Sequence, residues 1–441
     1  MRFETIVVGG GLCGTLAAQH LALAGKSVLL LETGPAQPRE LPGDVAGFFK
    51  STRELTKVDP KRWAFGGPKG YEWHRVRALG GRTLLWGGWM MRATPDYFAA
   101  RQKLDAAWPA ELSKLTPWMK LAEKRLAVKK GKRGVLHRHL KKLGFETLVK
   151  HEAVQPGTRR MMTALDLRPE HVEQATVLSF EQKGELVVVH LEGGQTHETE
   201  QLILAASPIE TARIVAASRA AGKRTRISYA DHLIAGVIGI TERRPDMGHP
   251  LDGADPSAVV APGPRAKHRF TIEVRGPTPL ENLDPDDVKA LGFTEETAKQ
   301  HSFYVVFAMG ETDPRVPRQC VLDPKTTDSL GRPQPRFVKR KHTAWERRLG
   351  AEMNRACIRI GKSLVGANGP WFQIYDALDY GSGGHEVGTC AGEVRGDGAL
   401  RDFTNVFLAD GSAVPAATDR HPSLTLAANA LRVADAALRA R

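Results

Sequence analysis

Cysteine is scarce in this chain of 441 residues, with four present and none in a C-x-x-C spacing. A disulfide framework is therefore not expected, and the four thiols are predicted to be reduced and packed in the interior. Long apolar runs are also missing, because no segment approaches the roughly 20 residues that a membrane-spanning helix needs. We find no internal repeat period, and we expect no metal site.

Acidic residues are nearly absent from segment 120–142, which carries ten Lys and Arg against one Glu in a chain of net charge +14. Such a segment can dock an anionic partner, namely a nucleic acid, a membrane face or an acidic carrier protein. It can equally be the solvated face of a helix, which we favour because no aromatic residues interleave the charges. No fold signature of nucleic-acid binding accompanies it, and we expect no nucleic-acid partner.

The length and composition place the chain in a broad class. Little sequence precedes the first strand-like run at 5–8, so no leader peptide fits in front of it, and a cytoplasmic location is expected. A content of 41% hydrophobic and 25% charged residues is typical of a soluble globular protein. The length predicts two or three structural lobes, at roughly 100–200 residues for each.

Glycine is concentrated in the first turn of the chain. A β-branched run at 5–8 is followed by Gly9, Gly11 and Gly14 in G-x-G-x-x-G spacing, and then by an Ala- and Leu-rich helix that ends at Gly25. The first glycine allows the sharp turn, the second lets the backbone approach a pyrophosphate, and the third lets the helix pack close to the strand. The helix N-terminus then presents free N–H groups to the phosphates.

A second strand is predicted at 27–31, and Glu32 ends it, 21 residues after Gly11 (32 − 11). An acidic side chain at this position can accept hydrogen bonds from an adenosine ribose, which suits FAD or NAD and disfavours a 2′-phosphate. Strand, glycines, helix, strand and acid in this order predict a dinucleotide-binding unit.

A second glycine-rich segment, RALGGRTLLWGGWMMR, covers residues 77–92. Gly80, Gly81, Gly87 and Gly88 remove every side chain that could obstruct the backbone, so this segment must come very close to a ligand or to another part of the chain.

The C-terminal region contains three further motifs. They are H-E-V-G-T-C at 385–390, N-V-F-L-A-D-G-S at 405–412 and H-P-S-L-T at 421–425. Together with the glycine segments, and in this order, they resemble the glucose-methanol-choline (GMC) oxidoreductase family. The family patterns G-G-x-[ST]-L-x-x-G-G, H-x-V-G-T-C, N-L-x-V-A-D-x-S and [NH]-P-x-L-T match these segments, and Thr83 occupies the hydroxyl position of the first.

Three weaker matches extend the resemblance to about half of the chain. Trp108-Pro109 with Leu115, Trp118 and Ala122 is similar to the family's W-P stretch, and 202–218 is similar to its A-G-x-I-x-[ST]-P-x-L-L element. The segment 321–337 is most similar to the sugar- and polyol-oxidising, pyranose-oxidase-like bacterial members.

The resemblance implies FAD as the cofactor. Some relatives attach the flavin through a histidine where this chain has Leu85, so we expect FAD to be bound without a covalent link. We expect Val177 to offer its backbone to the adenine, and Asp410 to contact the ribityl chain or the pyrophosphate through water. The expected cofactor-binding residues are Gly9, Gly11, Gly14, Glu32, Gly80, Gly81, Thr83, Trp86, Gly87, Gly88, Val177, Asp410, Gly411 and Pro422.

Two histidines are the expected catalytic residues. By resemblance, His385 is the base that takes the hydroxyl proton, and His421 hydrogen-bonds the substrate oxygen. Histidine suits both tasks because its ordinary pKa lies nearest to neutral pH. Pro422 is expected in the first turn of a terminal helix, which would place His421 at a helix N-terminus, where the local field stabilises negative charge.

These observations predict an α/β fold, with a doubly wound Rossmann-like FAD-binding domain and a substrate domain built on a mostly antiparallel sheet. We assign 1–107, 170–220 and 376–441 to the first domain, and 108–169 and 221–375 to the second.

The expected activity is oxidation of a primary or secondary alcohol, on a sugar, polyol or hydroxylated metabolite, to a carbonyl, with hydride transfer to flavin N5. A flavin-containing lyase or isomerase, and a flavoprotein whose basic surface docks an acidic protein or nucleic acid, stay open as alternatives. The identity of the alcohol, the electron acceptor (oxygen, a quinone or a carrier protein) and the oligomeric state also stay open.

Overall fold

The computed structural model describes residues 3–35, 55, 57, 59–69, 71, 73–93, 112–157, 160–167, 169–219, 224–243, 258–261, 268–366, 369–379 and 384–440. The Trp108-Pro109 motif and the predicted domain boundary at 107 lie outside these residues. None of the described helices is long and apolar enough to cross a membrane.

The described strands are β1 (Phe3–Val8), β2 (Val28–Glu32), β3 (Val128–Lys130), β4 (Glu146–Leu148), β5 (His151–Ala153), β6 (Val172–Gln174), β7 (Val177–Lys183), β8 (Leu186–Leu191), β9 (Thr196–Leu204), β10 (Thr225–Tyr229), β11 (His232–Glu242), β12 (Ala258–Ala261), β13 (Thr271–Pro279), β14 (His301–Glu311), β15 (Arg318–Thr327), β16 (Pro333–Val338), β17 (Trp371–Tyr375) and β18 (Val406–Leu408). The helices are α1 (Leu12–Leu23), α2 (Leu112–Arg125), α3 (Val135–Lys142), α4 (Pro208–Arg219), α5 (Pro285–Ala290), α6 (Glu295–Ala298), α7 (Ala344–Val365) and α8 (Ser423–Arg439).

The first sheet is mixed and carries the predicted dinucleotide-binding unit. Strands β6, β2, β1, β9 and β18 run parallel, and the meander β7–β8–β9 adds antiparallel strands beside them. Successive residues of a strand point to opposite faces, so Ile6 and Val8 join one core cluster while Val7 joins another. Both faces are covered, which explains the apolar runs in β1, β2, β18 and the second half of β9.

The second large sheet is antiparallel, in the order β17-β11-β14-β13-β12-β4. One of its faces packs against α7, where Leu349, Met353 and Ile360 contact residues such as Val237 and Val306. The opposite face borders the cavity described below. The predicted fold class, α/β with a Rossmann-like unit and a mostly antiparallel second sheet, is confirmed.

The three-stranded sheet β10-β15-β16 departs from the packing that the sequence suggested. Its sequence falls within 221–375, which we assigned to the substrate domain. Its apolar residues Ile227, Leu322 and Phe337 nevertheless share a core cluster with Ile6 of β1 and Ile209 of α4. The nucleotide sheet is thus covered by α1 and α8 on one face, and by α4 with this small sheet on the other.

The four cysteines are buried and form no disulfide, as predicted. Burial raises the pKa of each thiol, to about 12 for Cys320 and Cys357, and further for Cys13 and Cys390. Thiols in this state pack as small apolar groups and do not act as nucleophiles at neutral pH.

A buried ion cluster fastens α4 to the small sheet. The Arg213 guanidinium on α4 donates to both oxygens of Glu210, at 3.1 and 3.0 Å, and to Asp328 at 2.8 Å. Asp328, in the connection between β15 and β16, also accepts from Arg332 at 2.8 Å. Because buried charges are tolerated only when they are paired, each member of this cluster depends on the others.

Asp328→Ala is expected to lower the free energy of unfolding by about 3–5 kcal/mol, because it leaves two buried guanidinium groups short of a carboxylate. Asp402 pairs with Arg219 at the surface, at 3.1 Å, so Asp402→Ala is the matched control and should cost no more than about 1 kcal/mol. Urea unfolding followed by circular dichroism measures both. Equal losses in the two variants would contradict a structural role of the cluster.

Candidate active site

A cavity of about 470 Å³ lies between the carboxyl edge of the nucleotide sheet and the antiparallel sheet. Eleven of the predicted cofactor-binding residues line it: Gly9, Gly11, Glu32, Gly81, Thr83, Trp86, Gly87, Val177, Asp410, Gly411 and Pro422. Both predicted catalytic histidines line it as well. Residues that are more than 350 positions apart in sequence are thus brought to one site.

The three glycines of the first turn serve different purposes. Gly9 has φ +104°, and a Cβ atom there would lie 2.4 Å from the Ala205 carbonyl oxygen. A Cβ atom on Gly14 would lie 1.9 Å from the Gly9 carbonyl oxygen. A Cβ atom on Gly11 would meet nothing within 4 Å, because it would point into open space at the cavity wall. Gly9 and Gly14 are required by the chain itself, and Gly11 keeps the cavity clear at the N-terminus of α1.

Glu32 is held at the end of β2 by the same turn. Its carboxylate oxygens accept hydrogen bonds from the backbone N–H of Gly10, at 2.7 Å, and of Gly34, at 2.9 Å. Burial raises the pKa of Glu32, and these N–H groups oppose that effect. Each oxygen retains a second acceptor position, so the side chain fits hydrogen bonding to a ribose hydroxyl.

The second glycine segment forms a 3-10 turn at Gly81–Leu84. The Thr83 hydroxyl donates to the Gly80 carbonyl at 2.6 Å and accepts from the Ala164 N–H at 2.9 Å. The Trp86 indole donates to the Met162 carbonyl at 2.7 Å. These bonds fix a rigid wall beside the glycine turn.

Gly14, Gly80 and Gly88 were also predicted to bind the cofactor, but they do not line the cavity. Gly80 and Gly88 have φ +105° and +67°, and Cβ atoms there would meet Leu84 and Met161. These glycines are explained by turn geometry and close packing. Their predicted contact with a cofactor stays a prediction.

Asp410 lies just after β18, at the carboxyl edge of the nucleotide sheet. Its carboxylate accepts from the Ser412 N–H at 2.9 Å and from the Thr211 hydroxyl at 2.7 Å. Burial raises the pKa of Asp410, and these two bonds oppose that effect. The carboxylate is thereby oriented at the cavity wall.

Pro422 is the N-cap residue of α8, which begins at Ser423, so the prediction that it occupies the first helical turn is corrected. Its carbonyl accepts the first helical hydrogen bond, from Leu426 at 2.9 Å. The rigid ring has no N–H to satisfy, which makes proline suitable here. His421 precedes the helix directly, and the expected proximity to a helix N-terminus holds.

His421 and His385 are neighbours in the cavity wall, with ring centroids 5.9 Å apart and planes at 75°. His421 forms an ion pair through Nε2 with the Glu273 carboxylate. Its Nδ1 is buried and has no partner among the described residues. Glu273 also accepts from the Arg275 guanidinium, at 2.9 Å. Burial raises the pKa of Glu273, but His421 and Arg275 outweigh that effect and lower it to about 2.

His385 has a different environment. Its Nδ1 lies 2.8 Å from Nδ1 of His232, and its backbone N–H donates to Asp231 at 3.3 Å. Burial lowers the pKa of His385 well below its ordinary value, and neighbouring histidines and Arg82 add to that effect. The imidazole is therefore neutral at pH 7 and can accept a proton.

Arg82 extends the site on the other side of His385. Its guanidinium donates to the buried Glu386 carboxylate at 2.9 Å and to the Ser207 hydroxyl at 3.2 Å. It also contacts the Gly384 carbonyl. The segment that carries His385 is thereby tied to the second glycine segment.

Sequence reasoning did not identify His232, Glu273 and Arg275 as site residues. The available signal is weak: His232 begins the apolar strand-like run HLIAGVIGI, and Glu273 and Arg275 interrupt the run TIEVRG. Such interruptions predict a polar position on a strand but do not indicate what it faces.

The glycine turn allows a paired test of dinucleotide binding. Gly11→Ala adds a methyl group to the open space that a pyrophosphate would need, at extended backbone angles that alanine adopts freely. We expect an unchanged melting temperature of the apoprotein and a loss of FAD affinity of at least about tenfold, equivalent to 1.4 kcal/mol. Gly14→Ala should instead destabilise the apoprotein by about 1–3 kcal/mol, because its Cβ meets the Gly9 backbone.

Thermal denaturation and fluorescence titration with FAD measure the two effects separately. Undiminished FAD binding by the Gly11→Ala variant would contradict the assignment of this turn as the pyrophosphate site.

Comparison with known proteins agrees with this geometry. Residues 7–36 match the NAD(P)-binding Rossmann-like domain. Paromamine 6'-oxidase of Streptomyces fradiae is 29% identical over 137 residues, which is 30% of this chain and 24% of that protein. The 6'''-hydroxyparomomycin C oxidase of Streptomyces lividus is 29% identical over 141 residues, 31% of this chain and 25% of that protein. The match spans about a quarter of the length of these two relatives.

The similarity in structure covers nearly the whole chain. The crystal structure of pyridoxine 4-oxidase from Mesorbium loti superposes with a TM-score of 0.62 and 15% sequence identity, over 98% of this chain and 99% of that one. The overall fold, the N-terminal nucleotide-binding unit and the partial matches to two oxidases agree with the motif order found in the sequence. The comparisons thus support the N-terminal nucleotide-binding unit and the overall fold, at low sequence identity to these proteins.

Proposed function

We propose that this protein is an FAD-dependent oxidoreductase that oxidises a primary or secondary alcohol to a carbonyl compound. The observation that carries the proposal is the pair of imidazoles, His385 and His421, in the wall of a cavity whose other end is a glycine turn with Glu32. The names of the similar proteins, which are oxidases, support the same reaction class.

The cavity residues fit FAD. The open space at Gly11 and the N-terminus of α1 suit a pyrophosphate, and the Glu32 carboxylate suits the adenosine ribose. Val177 and the segment around Asp410 supply further wall on either side. Leu85 stands where some members of the family carry a flavin-linking histidine, so we propose dissociable FAD. When bound, FAD supplies the acceptor for the hydride that leaves the substrate carbon.

His385 is the proposed base. Its low pKa keeps the ring neutral, so one nitrogen has a free lone pair for the hydroxyl proton of the substrate. A base must contact the substrate oxygen, and His385 lines the cavity.

His421 is the proposed donor to the same oxygen. In its imidazolium form, paired with Glu273, its unpartnered Nδ1 carries a hydrogen that can be donated into the site. As the hydroxyl proton leaves, negative charge grows on the oxygen, and this donor together with the N-terminus of α8 stabilises it. The two rings therefore divide the task between removing a proton and holding the oxygen.

The substrate end of the cavity favours a hydroxylated small molecule with a ring. Trp89, Phe307 and Tyr375 line it with aromatic surface, and Glu273 and Arg275 add polar groups. Aromatic faces with a few polar anchors bind sugars and hydroxylated heterocycles well. The similar proteins are named as oxidases of paromamine, 6'''-hydroxyparomomycin C and pyridoxine.

The proposal predicts that the FAD-loaded protein is yellow and is bleached without oxygen by an alcohol from a panel of sugars, polyols and hydroxymethylpyridines. His385→Ala and His421→Ala should each slow bleaching by about 10²–10⁴-fold, the usual contribution of general acid–base catalysis. Stopped-flow absorbance measures the rate.

His190→Ala is the control, since His190 lies on β8 away from the cavity, and it should bleach at the wild-type rate. Full turnover by the His385→Ala/His421→Ala double variant would contradict the assigned roles. Conversion of an alcohol without bleaching would favour the lyase or isomerase alternative.

A further inference from the structure

A third histidine, His232, lies directly behind the proposed base. It is the first residue of β11, is only 2% exposed, and does not line the main cavity. Its Nδ1 lies 2.8 Å from Nδ1 of His385, and its Nε2 lies 3.0 Å from the Thr418 carbonyl oxygen. The two rings are nearly perpendicular, with an interplanar angle of 89°.

These contacts determine where the hydrogens lie on both rings. A carbonyl oxygen can only accept a hydrogen bond, so Nε2 of His232 must carry a hydrogen. Burial lowers the pKa of His232 to about 4, so the ring is neutral and its Nδ1 has a lone pair. Nδ1 of His385 must then donate to that lone pair, and Nε2 of His385 is the nitrogen without a hydrogen. Nε2 is the position from which a base accepts a proton.

The Thr418 carbonyl is held in place by an uncommon turn. Thr418 has φ +69°, a backbone conformation that β-branched residues rarely adopt, and its side chain is fully buried. Its hydroxyl donates to the Arg420 carbonyl at 3.0 Å and accepts from the Arg420 N–H at 3.2 Å. The turn fixes the direction of the carbonyl toward His232.

Asp231 holds the two histidines together from the backbone. One of its carboxylate oxygens accepts from the His232 N–H at 2.8 Å and from the His385 N–H at 3.3 Å. Two segments that are 153 positions apart are therefore joined both through their rings and through this carboxylate.

We propose that His232 is a positioning residue that fixes the tautomer of His385 and stabilises the protonated base through the Nδ1–Nδ1 hydrogen bond. The proposal rests on the proposed function, because it gives the base of that reaction its second partner. On loss of the substrate hydroxyl proton, an N–H bond would form at Nε2 of His385, and bound FAD would supply the acceptor for the hydride of the substrate carbon. His385 is then an imidazolium, and its bond to the neutral His232 becomes charge-assisted.

We compared His232 with the other charged or titratable groups near His385 as a partner that could stabilise the protonated ring. His421 is a second imidazole, in edge contact with the His385 ring, and Arg82 is a cation that is paired with Glu386. His74 lies nearby and, like Arg82, disfavours positive charge on His385. Asp231 contacts the backbone of His385; burial raises the pKa of Asp231 to about 7, Glu386 adds to that effect, and the fully buried Arg318 opposes it. Among the hydrogen bonds of the described residues, His232 is the acceptor that receives a ring N–H of His385.

Two variants of His232 distinguish a hydrogen-bonding role of its side chain from a role in filling space. His232→Phe keeps a planar ring but removes both nitrogens, whereas His232→Gln can accept from His385 with its carbonyl and donate to Thr418 with its amide. We expect His232→Phe to lower kcat/KM by about 10²-fold, because the base loses its tautomer and its stabilising partner. His232→Gln should lose less than about tenfold, because it restores a neutral acceptor.

The proposal also predicts the direction in which the pH dependence of kcat/KM shifts. A protonated His232 would repel positive charge on His385 and lower its pKa, but the neutral His232 ring accepts the Nδ1 hydrogen and favours protonated His385, so we expect loss of this acceptor to lower the pKa of the base further. The acid limb of kcat/KM should move to lower pH by about one unit in His232→Phe and stay in place in His232→Gln. A loss of rate with an unmoved limb in both variants would indicate a packing role only, and would overturn the proposal.

A second measurement needs neither substrate nor turnover. Nitrogen-15 NMR of histidine-labelled, FAD-loaded protein reports the tautomer of each ring, and the His385 signals are those lost in His385→Asn. We expect wild-type His385 to carry hydrogen on Nδ1 and none on Nε2, with that preference lost in His232→Phe. The opposite tautomer in the wild-type protein would overturn the proposal whether or not any variant folds.

Failure of the proposed function and failure of the positioning role of His232 would give different results. If no alcohol bleaches the flavin but the tautomer is as described, the proposed function is wrong and the positioning by His232 stands. If alcohols are oxidised but the tautomer does not depend on His232, the positioning role is wrong and the proposed function stands.

Discussion

The site depends on the alignment of three strands of the nucleotide sheet, β1, β9 and β18. In the nucleotide sheet Leu204 of β9 pairs with Val8 of β1 on one side and with Leu408 of β18 on the other. This row brings the first glycine turn, the start of α4 and Asp410 to the same edge of the sheet, from three distant parts of the chain. A shift of one residue in β18 would exchange side chains between the two core clusters, which now hold Val406 and Leu408 on one face and Phe407 on the other. The site is thus assembled by burial of apolar strands.

The antiparallel sheet supplies the opposite wall by simple alternation. Ile272 and Val274 of β13 share a core cluster with residues of α7, so Glu273 and Arg275, which alternate with them along the strand, face the cavity. Charged groups in such a position are costly unless they are paired. Glu273 satisfies this condition through His421 and Arg275, which explains how a carboxylate and a guanidinium are retained inside an apolar sheet. The polar side of the site is therefore a consequence of strand geometry plus charge pairing.

The features that could be predicted from the sequence are those that depend on residues close together along the chain. The turn at Gly9 and Gly14 could be predicted because their backbone and packing demands arise within one strand–turn–helix unit. The contact between His232 and His385 could not, because it joins positions 153 residues apart, one at the start of β11 and the other outside the strands and helices. The packing of β10-β15-β16 on the nucleotide sheet was missed for the same reason: an apolar strand pattern indicates that a face is buried but not against which partner.

The two site histidines are chemically alike, so their different roles must come from their partners. A neutral imidazole behind His385 takes one hydrogen and leaves a lone pair on the far nitrogen, whereas a carboxylate beside His421 favours a ring that donates. The partners His232 and Glu273 belong to β11 and β13, which both pair with β14 in the same sheet. Because that sheet is packed against α7 along its other face, neither partner can exchange places or relax toward the other ring. The distinction between base and donor is in this way set by the rigid antiparallel sheet, while the histidines themselves are supplied by the nucleotide-binding side of the fold.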